Sequence, residues 1–507
     1  MSRLGWIISI FAPAALVVWV AWPVAETAWV TAAPQATVTV SYDPAVTGVA
    51  VGGGGCAAAG CHGAPPRSLT NGLDRSTWSC SATHWLACDP HSRAYEVLGG
   101  ELAKRIMGHL NAAEPGSVLK LKAAEDVRCL ACHTNPGLVQ ARKPQPQNRP
   151  DGRLADLTFA PLHKNGVSCE ACHGNASGWL HEHPNWVVAD RPGKYDTTQM
   201  VKLYDLGERA RTCMGCHVGA PADPVRGYPV RDMNHDMIAA GHPRLNFDFA
   251  DSQRRLPPHW YEKDRTKPGS PARDADFDAQ AWLIGRLAHA EAACDLLVSR
   301  ASRGNESDPA PWPEFAESAC VSCHHVIANP DKPFPPPPMP GNRRAGSPQW
   351  QPIWPVTRPD DLDALELLLK PQKAIADLKK LLNAVEVPRP KVGNKPEEMP
   401  AVAKTAAESL AVLRQQLTQA AGKDVRVGVD RLLRKGLSTP LSGYDRDIAC
   451  QLFYGLAAAE RTRMGWGEKY DAVPYAREWE NLKLPPGKMV FAINPDDTRD
   501  GLKRLLR

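Results

Sequence analysis

This chain has little excess charge of either sign, no histidine in its C-terminal part and few aromatic residues other than tryptophan. The 507 residues include 60 Lys and Arg and 55 Asp and Glu, and a formal charge of +5 does not indicate a nucleic-acid-binding protein. Residues 359–507 contain no histidine and one cysteine, Cys450, so this region cannot supply histidine ligands to a metal. Proline is abundant, with 47 residues, and predicts much irregular structure.

Five histidines directly follow the second cysteine of a closely spaced pair. The five motifs are Cys56, Cys61 and His62; Cys129, Cys132 and His133; Cys169, Cys172 and His173; Cys213, Cys216 and His217; and Cys320, Cys323 and His324. Chance would give on the order of 0.01 copies of the form with two intervening residues. In c-type haem attachment the thiols add to the porphyrin vinyl groups, and the histidine becomes the proximal iron ligand. The pattern therefore predicts five covalently attached haems c.

Cysteines two residues apart are also typical of zinc sites and of thiol redox motifs. Neither chemistry requires a histidine after the second cysteine, so its repetition favours haem. The wider spacing between Cys56 and Cys61 leaves a disulfide as the alternative for the first motif. The four glycines at 52–55 and the following His62 favour haem there as well.

The first 36 residues have the composition of an export segment. Arg3 is the only charged residue before Glu26, and the apolar stretch between them runs roughly from Leu4 to Ala25. Residues 1–36 are therefore predicted to be a signal peptide or an uncleaved N-terminal membrane anchor. Because haem c is attached outside the cytoplasm, we expect a periplasmic protein, either released or anchored to the inner membrane.

The remaining chain divides into three parts by composition. Residues 37–328 carry the five motifs and are predicted to form a multihaem cytochrome c domain. A proline-rich linker at 329–358 and a helical C-terminal domain at 359–507 follow. The predicted fold class is mainly α with much irregular structure, organised around haems and followed by a helical bundle.

Apolar residues at helical spacing predict long helices at 275–302, 360–385, 399–421, 425–434 and 443–464. Their expected core positions are Trp282, Leu283, Leu287, Ala290, Cys294, Leu297, Leu365, Leu368, Leu378, Leu382, Leu410, Leu413 and Leu417. We expect Cys294 and Cys450 to be buried thiols. Cys80 and Cys88 belong to no motif, and in an oxidising compartment they could form a disulfide.

Three segments resemble the cytochrome c-554 type of multihaem domain. They are WLACDPHSRAYEVL at 85–98, GVSCEACHG at 166–174 and NHDMIAAGHPRLNFDF at 234–249. The resemblance covers roughly residues 56–357 and implies a periplasmic protein that carries electrons between redox partners through closely stacked haems. The fifth motif and the long helical tail depart from the tetrahaem pattern and leave the pairing of haems with distal ligands open.

The same resemblance implies which histidines complete the iron coordination as distal ligands. His91, His163, His235 and His242 match, and His183 is the fifth choice, with His181 as its nearest rival.

The remaining histidines are His84, His109, His259, His289 and His325. His109 is evenly balanced between a ligand and a surface residue, whereas His84 and His289 are expected to be ordinary surface or core residues. His259 is a candidate hydrogen-bond donor to a haem propionate. His325 directly follows a proximal ligand, which makes it a poor ligand for the same iron.

Histidine on both sides of an iron closes it to substrate and leaves one-electron exchange as its chemistry. Electron transfer is therefore the predicted function. The alternative is a multihaem oxidoreductase, with a haem arrangement related to that of hydroxylamine oxidoreductase, acting on a small nitrogen or sulfur compound at one open haem. No attachment motif ends in lysine, which removes one signature of such a site. The C-terminal helices are expected to dock a redox partner or a membrane complex.

Overall fold

In a computed structural model of the chain, the residues described are mainly helical. They are 50–65, 77–113, 121–139, 160–187, 191–245, 247–256, 276–303, 399–420, 422–438 and 446–464, together with 314, 316, 374, 376 and 377. All of them belong to one unit, Pro44–Arg507. The predicted export segment at 1–36, the linker at 329–358 and the fifth motif, with Cys320, Cys323 and His324, lie outside the described residues.

Short helices follow one another through the region of the first four motifs. They are α1 (Ser81–Cys88), α2 (Glu101–Ala113), α3 (Val127–His133), α4 (Ala160–His163), α5 (Cys169–His173), α6 (Arg191–Thr198), α7 (Leu206–His217), α8 (His235–Ala239) and α9 (Phe249–Arg255). Side-chain oxygens of Asp126, Asp205, Asn234 and Asp248 cap the starts of α3, α7, α8 and α9. Each accepts a backbone N–H that the first helical turn leaves without a partner.

Short 3-10 turns and one small ribbon connect these helices. The turns are Gly53–Gly55, Thr77–Cys80, Pro90–Arg93, Glu96–Gly99, Ala123–Glu125, Pro136–Leu138, Ala176–Gly178 and His183–Asn185. Strands β1 (Gly219–Ala220) and β2 (Arg231–Asp232) pair antiparallel, with Ala220 opposite Arg231. The expectation of a mainly α fold with irregular connections is therefore confirmed for the described chain.

The described ranges then contain four long helices: α10 (Phe277–Arg303), α11 (Met399–Gln419), α12 (Gly422–Ser438) and α13 (Arg446–Met464). Four of the five predicted long helices are thus confirmed, with α12 longer at both ends than its apolar pattern predicts. The predicted helix at 360–385 lies largely outside the described residues, although Ala374, Ala376 and Asp377 are helical.

Helix α10 forms the centre of the largest core, in contact with α7, α9 and α11–α13. The six predicted core positions of α10, and Leu410, Leu413 and Leu417 of α11, are all buried, as are the thiols of Cys294 and Cys450. The other four predicted leucines lie outside the described residues. A Cβ on Gly455 would lie 2.7 Å from Trp282 and from Leu433, so this glycine permits the close approach of α13.

The C-terminal helices pack directly against the helix that carries the fourth motif. Arg414 of α11 bonds Glu291 of α10 through Nε at 2.7 Å and Glu208 of α7 through Nη1 at 3.1 Å. Arg414 and Glu291 are both buried. Met214, within the fourth motif, lies in the same core as Leu410. The boundary at 359 remains a prediction, but these helices share a core with α7.

Candidate functional site

Three of the four described attachment motifs end a helix. Helices α3, α5 and α7 stop at His133, His173 and His217, respectively. Two cysteines three positions apart lie on one face of a helix, so both thiols of each motif point to the same side. The first motif is different, because its cysteines follow the 3-10 turn Gly53–Gly55 in a loop.

The buried carboxylate of Glu170 joins the first motif to the third. Glu170 lies between the two cysteines of the third motif and accepts the backbone N–H groups of Val51 at 2.8 Å, Gly52 at 2.7 Å and Ala176 at 2.8 Å. Burial raises the pKa of Glu170, although the three N–H groups oppose this effect. Gly52 has a φ of 87°, which favours glycine, and it begins the turn that leads into Cys56.

Cysteines of different motifs touch one another. Cys132 and Cys216 are in hydrogen-bonding contact, as are Cys56 and Cys169. Cys172 lies close enough to Cys216 for their charges to interact. The hydrogen bond with Cys132 lowers the pKa of the Cys216 thiol to about 6 despite burial. The four described motifs therefore form one group rather than separate sites.

Three attachment-site histidines each approach one predicted distal histidine across a similar gap. The ring centres are 6.2 Å apart for His62 and His183, 6.1 Å for His217 and His91, and 6.3 Å for His133 and His242. With a metal–imidazole bond of about 2.0 Å and a ring centre about 1.15 Å beyond its nitrogen, imidazoles on opposite sides of one metal have centres about 6.3 Å apart. The three pairs have the spacing that a six-coordinate iron between them requires.

Hydrogen bonds involve the Nδ1 atoms of five of these six rings. The partners are Asp89 Oδ1 for His91 at 2.8 Å, the Leu180 carbonyl for His183 at 2.8 Å, the Pro243 carbonyl for His242 at 2.9 Å, the Ala94 carbonyl for His133 at 2.8 Å and Ser81 Oγ for His62 at 3.3 Å. Metal-ligating histidines usually donate their other ring N–H to such an acceptor. This arrangement leaves Nε2 as the nitrogen for a metal.

Burial favours the neutral imidazole, which is the form that binds a metal. Burial, with a smaller effect from His91, lowers the pKa of His217 to about 4. Burial also lowers the pKa of His133, against the effect of its hydrogen bond to Ala94. Burial likewise acts to lower the pKa of His91, but the hydrogen bond to Asp89 and the carboxylate charge outweigh it and raise the pKa.

A cavity extends between His133 and His242 and contains about 890 Å³ of empty space, part of it open solvent. Both cysteines of the second motif line it, and its other walls are mostly apolar. Val97 and Leu102 in these walls are 54% and 44% exposed, which is unusual for residues grouped in a concave apolar surface. A porphyrin attached at Cys129 and Cys132 would cover them, so the residues present fit a haem.

The other predicted ligands lie in different settings. His163 is buried, and its Nε2 is 3.2 Å from the Leu138 carbonyl, which leaves Nδ1 as the nitrogen for a metal. His235 begins α8, where its backbone N–H donates to Glu314 at 2.7 Å. His173 and His235 both interact with other residues. Which histidine would share an iron with each of them remains a prediction.

The histidines outside the five predicted distal ligands also have varied settings. His109 and His181 are exposed, His84 is half-buried, and His289 is buried in α10. Burial lowers the pKa of His289 well below its usual range. His259 and His325 lie outside the described residues.

Cys80 and Cys88 do not form the disulfide that the sequence left possible, because both are thiols in this structure. Cys80 precedes α1 and Cys88 ends it. Eight residues of helix span about 12 Å, which exceeds the Cα separation of a disulfide. The Cys56–Cys61 disulfide, the alternative for the first motif, is also not formed.

Asp89, Glu170 and Arg231 belong to the site but were not identified from the sequence. Asp89 lies two positions before a predicted ligand, and Glu170 lies inside a motif, so their positions offered a weak signal. Arg231 lines the cavity of the second motif but follows the last residue of the fourth motif by 14 positions, and nothing in the sequence connects it with either.

Comparison of the chain with protein-family models, curated proteins and solved structures gives no match. Within the described ranges, no three His, Cys, Asp or Glu side chains are grouped as ligands of one metal ion. A haem iron needs at most two protein ligands, because the porphyrin supplies the other four. Among the described helices, none has the length and hydropathy needed to cross a membrane.

Proposed function

We propose that this chain is a periplasmic pentahaem cytochrome c of the cytochrome c-554 type, which transfers electrons between redox partner proteins through bis-histidine haems. The observation that carries the proposal is the set of three histidine pairs with ring centres 6.1 to 6.3 Å apart. Each pair contains one attachment-site histidine and one histidine that the resemblance to the cytochrome c-554 type implies as a distal ligand.

In this proposal each motif holds one haem c through its two cysteines and its histidine. The distal ligands of the first, second and fourth motifs are His183, His242 and His91. His163 and His235 are proposed as distal ligands of the remaining two haems. Asp89 and backbone carbonyls orient the rings through Nδ1.

A bound haem with histidine on both sides supplies one-electron exchange and offers no open position to a substrate. The chain's own residues position the centres and exclude water. Because Cys132 and Cys216 lie next to each other, the haems that these two cysteines would hold would also be neighbours. Glu170 ties the backbones of the first and third motifs together.

The proposed compartment rests on the sequence of residues 1–36, as a signal peptide or as an anchor in the inner membrane. Export agrees with covalent haem attachment, which takes place outside the cytoplasm. The partners in this proposal are redox proteins, with the helices after residue 359 as one surface on which they dock.

The test is to express the exported chain together with a c-type haem maturation system. A pyridine haemochrome assay should give five haems c per chain. Electron paramagnetic resonance of the ferric protein should then show low-spin signals of two kinds, because the signal shape depends on the angle between the axial imidazole planes. The planes are 13° apart for His62 and His183, but 75° and 76° apart for the other two pairs.

A chain that is purified with zinc, or without covalent haem, would contradict the proposal. A high-spin ferric signal that shifts on addition of nitrite or hydroxylamine would instead identify a substrate-binding haem. That outcome would favour the multihaem oxidoreductase over the electron carrier.

A further inference from the structure

The guanidinium of Arg231 lies where the second and fourth attachment motifs meet. It hydrogen-bonds Cys216 of the fourth motif and interacts with the charge of Cys132 of the second. Its Nη1 atom is 3.2 Å from the position that a Cβ would take on Gly215, between the two cysteines of the fourth motif. Arg231 also lines the cavity between His133 and His242. One cation is therefore close to two proposed haem sites.

Neighbouring elements hold Arg231 in this position. It lies in β2 opposite Ala220 of β1, and β1 begins two residues after His217 ends α7. The Arg231 guanidinium carbon is 5.4 Å from the ring centre of Tyr228, within the range of a cation–π contact. The ribbon thus connects the position of Arg231 to the end of the fourth motif.

The protein does not neutralise this charge within the part of the chain that the structure describes. No carboxylate forms an ion pair with Arg231 there, and its Nε is buried without a hydrogen-bond partner. The neighbouring acid Asp232 pairs with Arg300 at 2.5 Å. By contrast, Arg226 on the same connection pairs with Asp223 at 3.0 Å. With Cys216 bonded to haem as a thioether, Arg231 would therefore keep a positive charge that no described carboxylate neutralises.

We propose that Arg231 raises the reduction potentials of the haems attached at the second and fourth motifs, so that electrons are held preferentially at this pair. This inference rests on the proposed function. A ferric haem carries one more positive charge than a ferrous haem, so a nearby cation disfavours the oxidised state. The effect is stronger in a cavity from which the haem itself excludes water.

The test is a potentiometric titration of the holoprotein, followed by visible absorption and electron paramagnetic resonance. In Arg231→Gln and Arg231→Met, two haems should become harder to reduce. At a given potential their ratio of reduced to oxidised forms should fall about tenfold, which equals 59 mV for a one-electron couple. Arg231→Lys keeps a charge and should retain most of the wild-type potential. The control Arg226→Gln removes a paired cation nearby and should leave all the potentials unchanged.

The measurements on the wild type test the proposed function, and the measurements on the variants test the role of Arg231. A wild-type chain without covalent haem would remove the function on which the inference rests. Five low-spin haems with unchanged potentials in both neutral variants would overturn the inference alone, as expected if a haem propionate neutralises Arg231. Loss of haem from both neutral variants would also overturn it, because Arg231 would then be needed for assembly rather than for the potential.

Discussion

The core around helices α10–α13 is filled by side chains, whereas the region of the second attachment motif leaves a cavity open. Along α10, Trp282, Leu283 and Leu287 have no exposed surface, and α11–α13 cover them. Around the second motif, Val97 and Leu102 remain about half exposed in the wall of a cavity. The first region is held together by side chains, and the second contains an apolar cavity that, in the proposed function, a haem would fill.

This difference explains why the two regions use polar residues differently. In the bundle, buried ions pair with one another, as Arg414 does with Glu291. In the motif region, polar atoms such as the Asp89 carboxylate and the Ala94 carbonyl orient imidazole rings. Most buried polar groups in proteins are satisfied, and in the motif region the Asp89 and Ala94 oxygens hydrogen-bond the histidines that we propose as iron ligands.

The largest expected effect comes from withholding haem. A chain expressed without export and maturation should lose hydrogen-exchange protection in α3 and α5, because their core would lack the porphyrins. The amides of α10 and α11 should keep their protection, since their core is complete without a cofactor. Hydrogen exchange with mass spectrometry on the apoprotein and the holoprotein measures both regions at once. Equal protection of α3 and α11 in the apoprotein would contradict the claim that only the motif region needs haem for its stability.

A core truncation in the bundle should have the next largest effect. Leu413 is fully buried, whereas the neighbouring Val412 is 46% exposed on the same helix. Leu413→Ala should lower the free energy of unfolding by about 2 to 5 kcal/mol, and Val412→Ala should change it by about 0.5 kcal/mol or less. Denaturant unfolding of the holoprotein measures both. Similar losses for the two variants would contradict the packing of α11.

Asp248, at the start of α9, should make stability depend on pH. Burial raises the pKa of Asp248 to about 6, from an ordinary value of 3.8. A raised carboxyl pKa means that the stabilising contribution is present at low pH and is lost as pH rises through this range. Asn can still cap the helix. The free energy of unfolding of Asp248→Asn should therefore rise relative to that of the wild type, by at most about 3 kcal/mol, as the pH increases from about 4 to about 6. Urea unfolding at several pH values measures the difference, and a constant difference would refute the assignment.

The smallest change to the whole protein is the loss of one distal ligand. His183→Ala should convert one of the five haems from low spin to high spin, because only His62 would then hold that iron. The matched control His181→Ala removes an exposed neighbour and should leave the spin state unchanged. Electron paramagnetic resonance of the ferric variants measures the change. A high-spin signal in the control but not in His183→Ala would reverse the two assignments.

The parts of the fold that depend on local spacing could be predicted from the sequence. Apolar periodicity predicted α10 and α11 and the buried positions on them. The disulfide that Cys80 and Cys88 could have formed is absent because they lie at opposite ends of α1, and their separation depends on backbone geometry rather than residue type.

Contacts across long stretches of chain could not be predicted in the same way. His62 and His183 lie close together although more than a hundred residues separate them in the sequence, and the same is true of Val51 and Glu170, which are hydrogen-bonded. The resemblance identified His183 as a candidate ligand but not its partner. Such pairings depend on how the loops close, which no local pattern in this chain specifies.

An experimental structure of the haem-loaded protein, with iron-to-Nε2 distances, tests the central claim most directly. We predict one iron between His62 and His183, one between His217 and His91, and one between His133 and His242, each about 2.0 Å from both nitrogens, as for other metal–imidazole bonds. An iron at any of these attachment motifs with a different sixth ligand, or with none, would contradict the account.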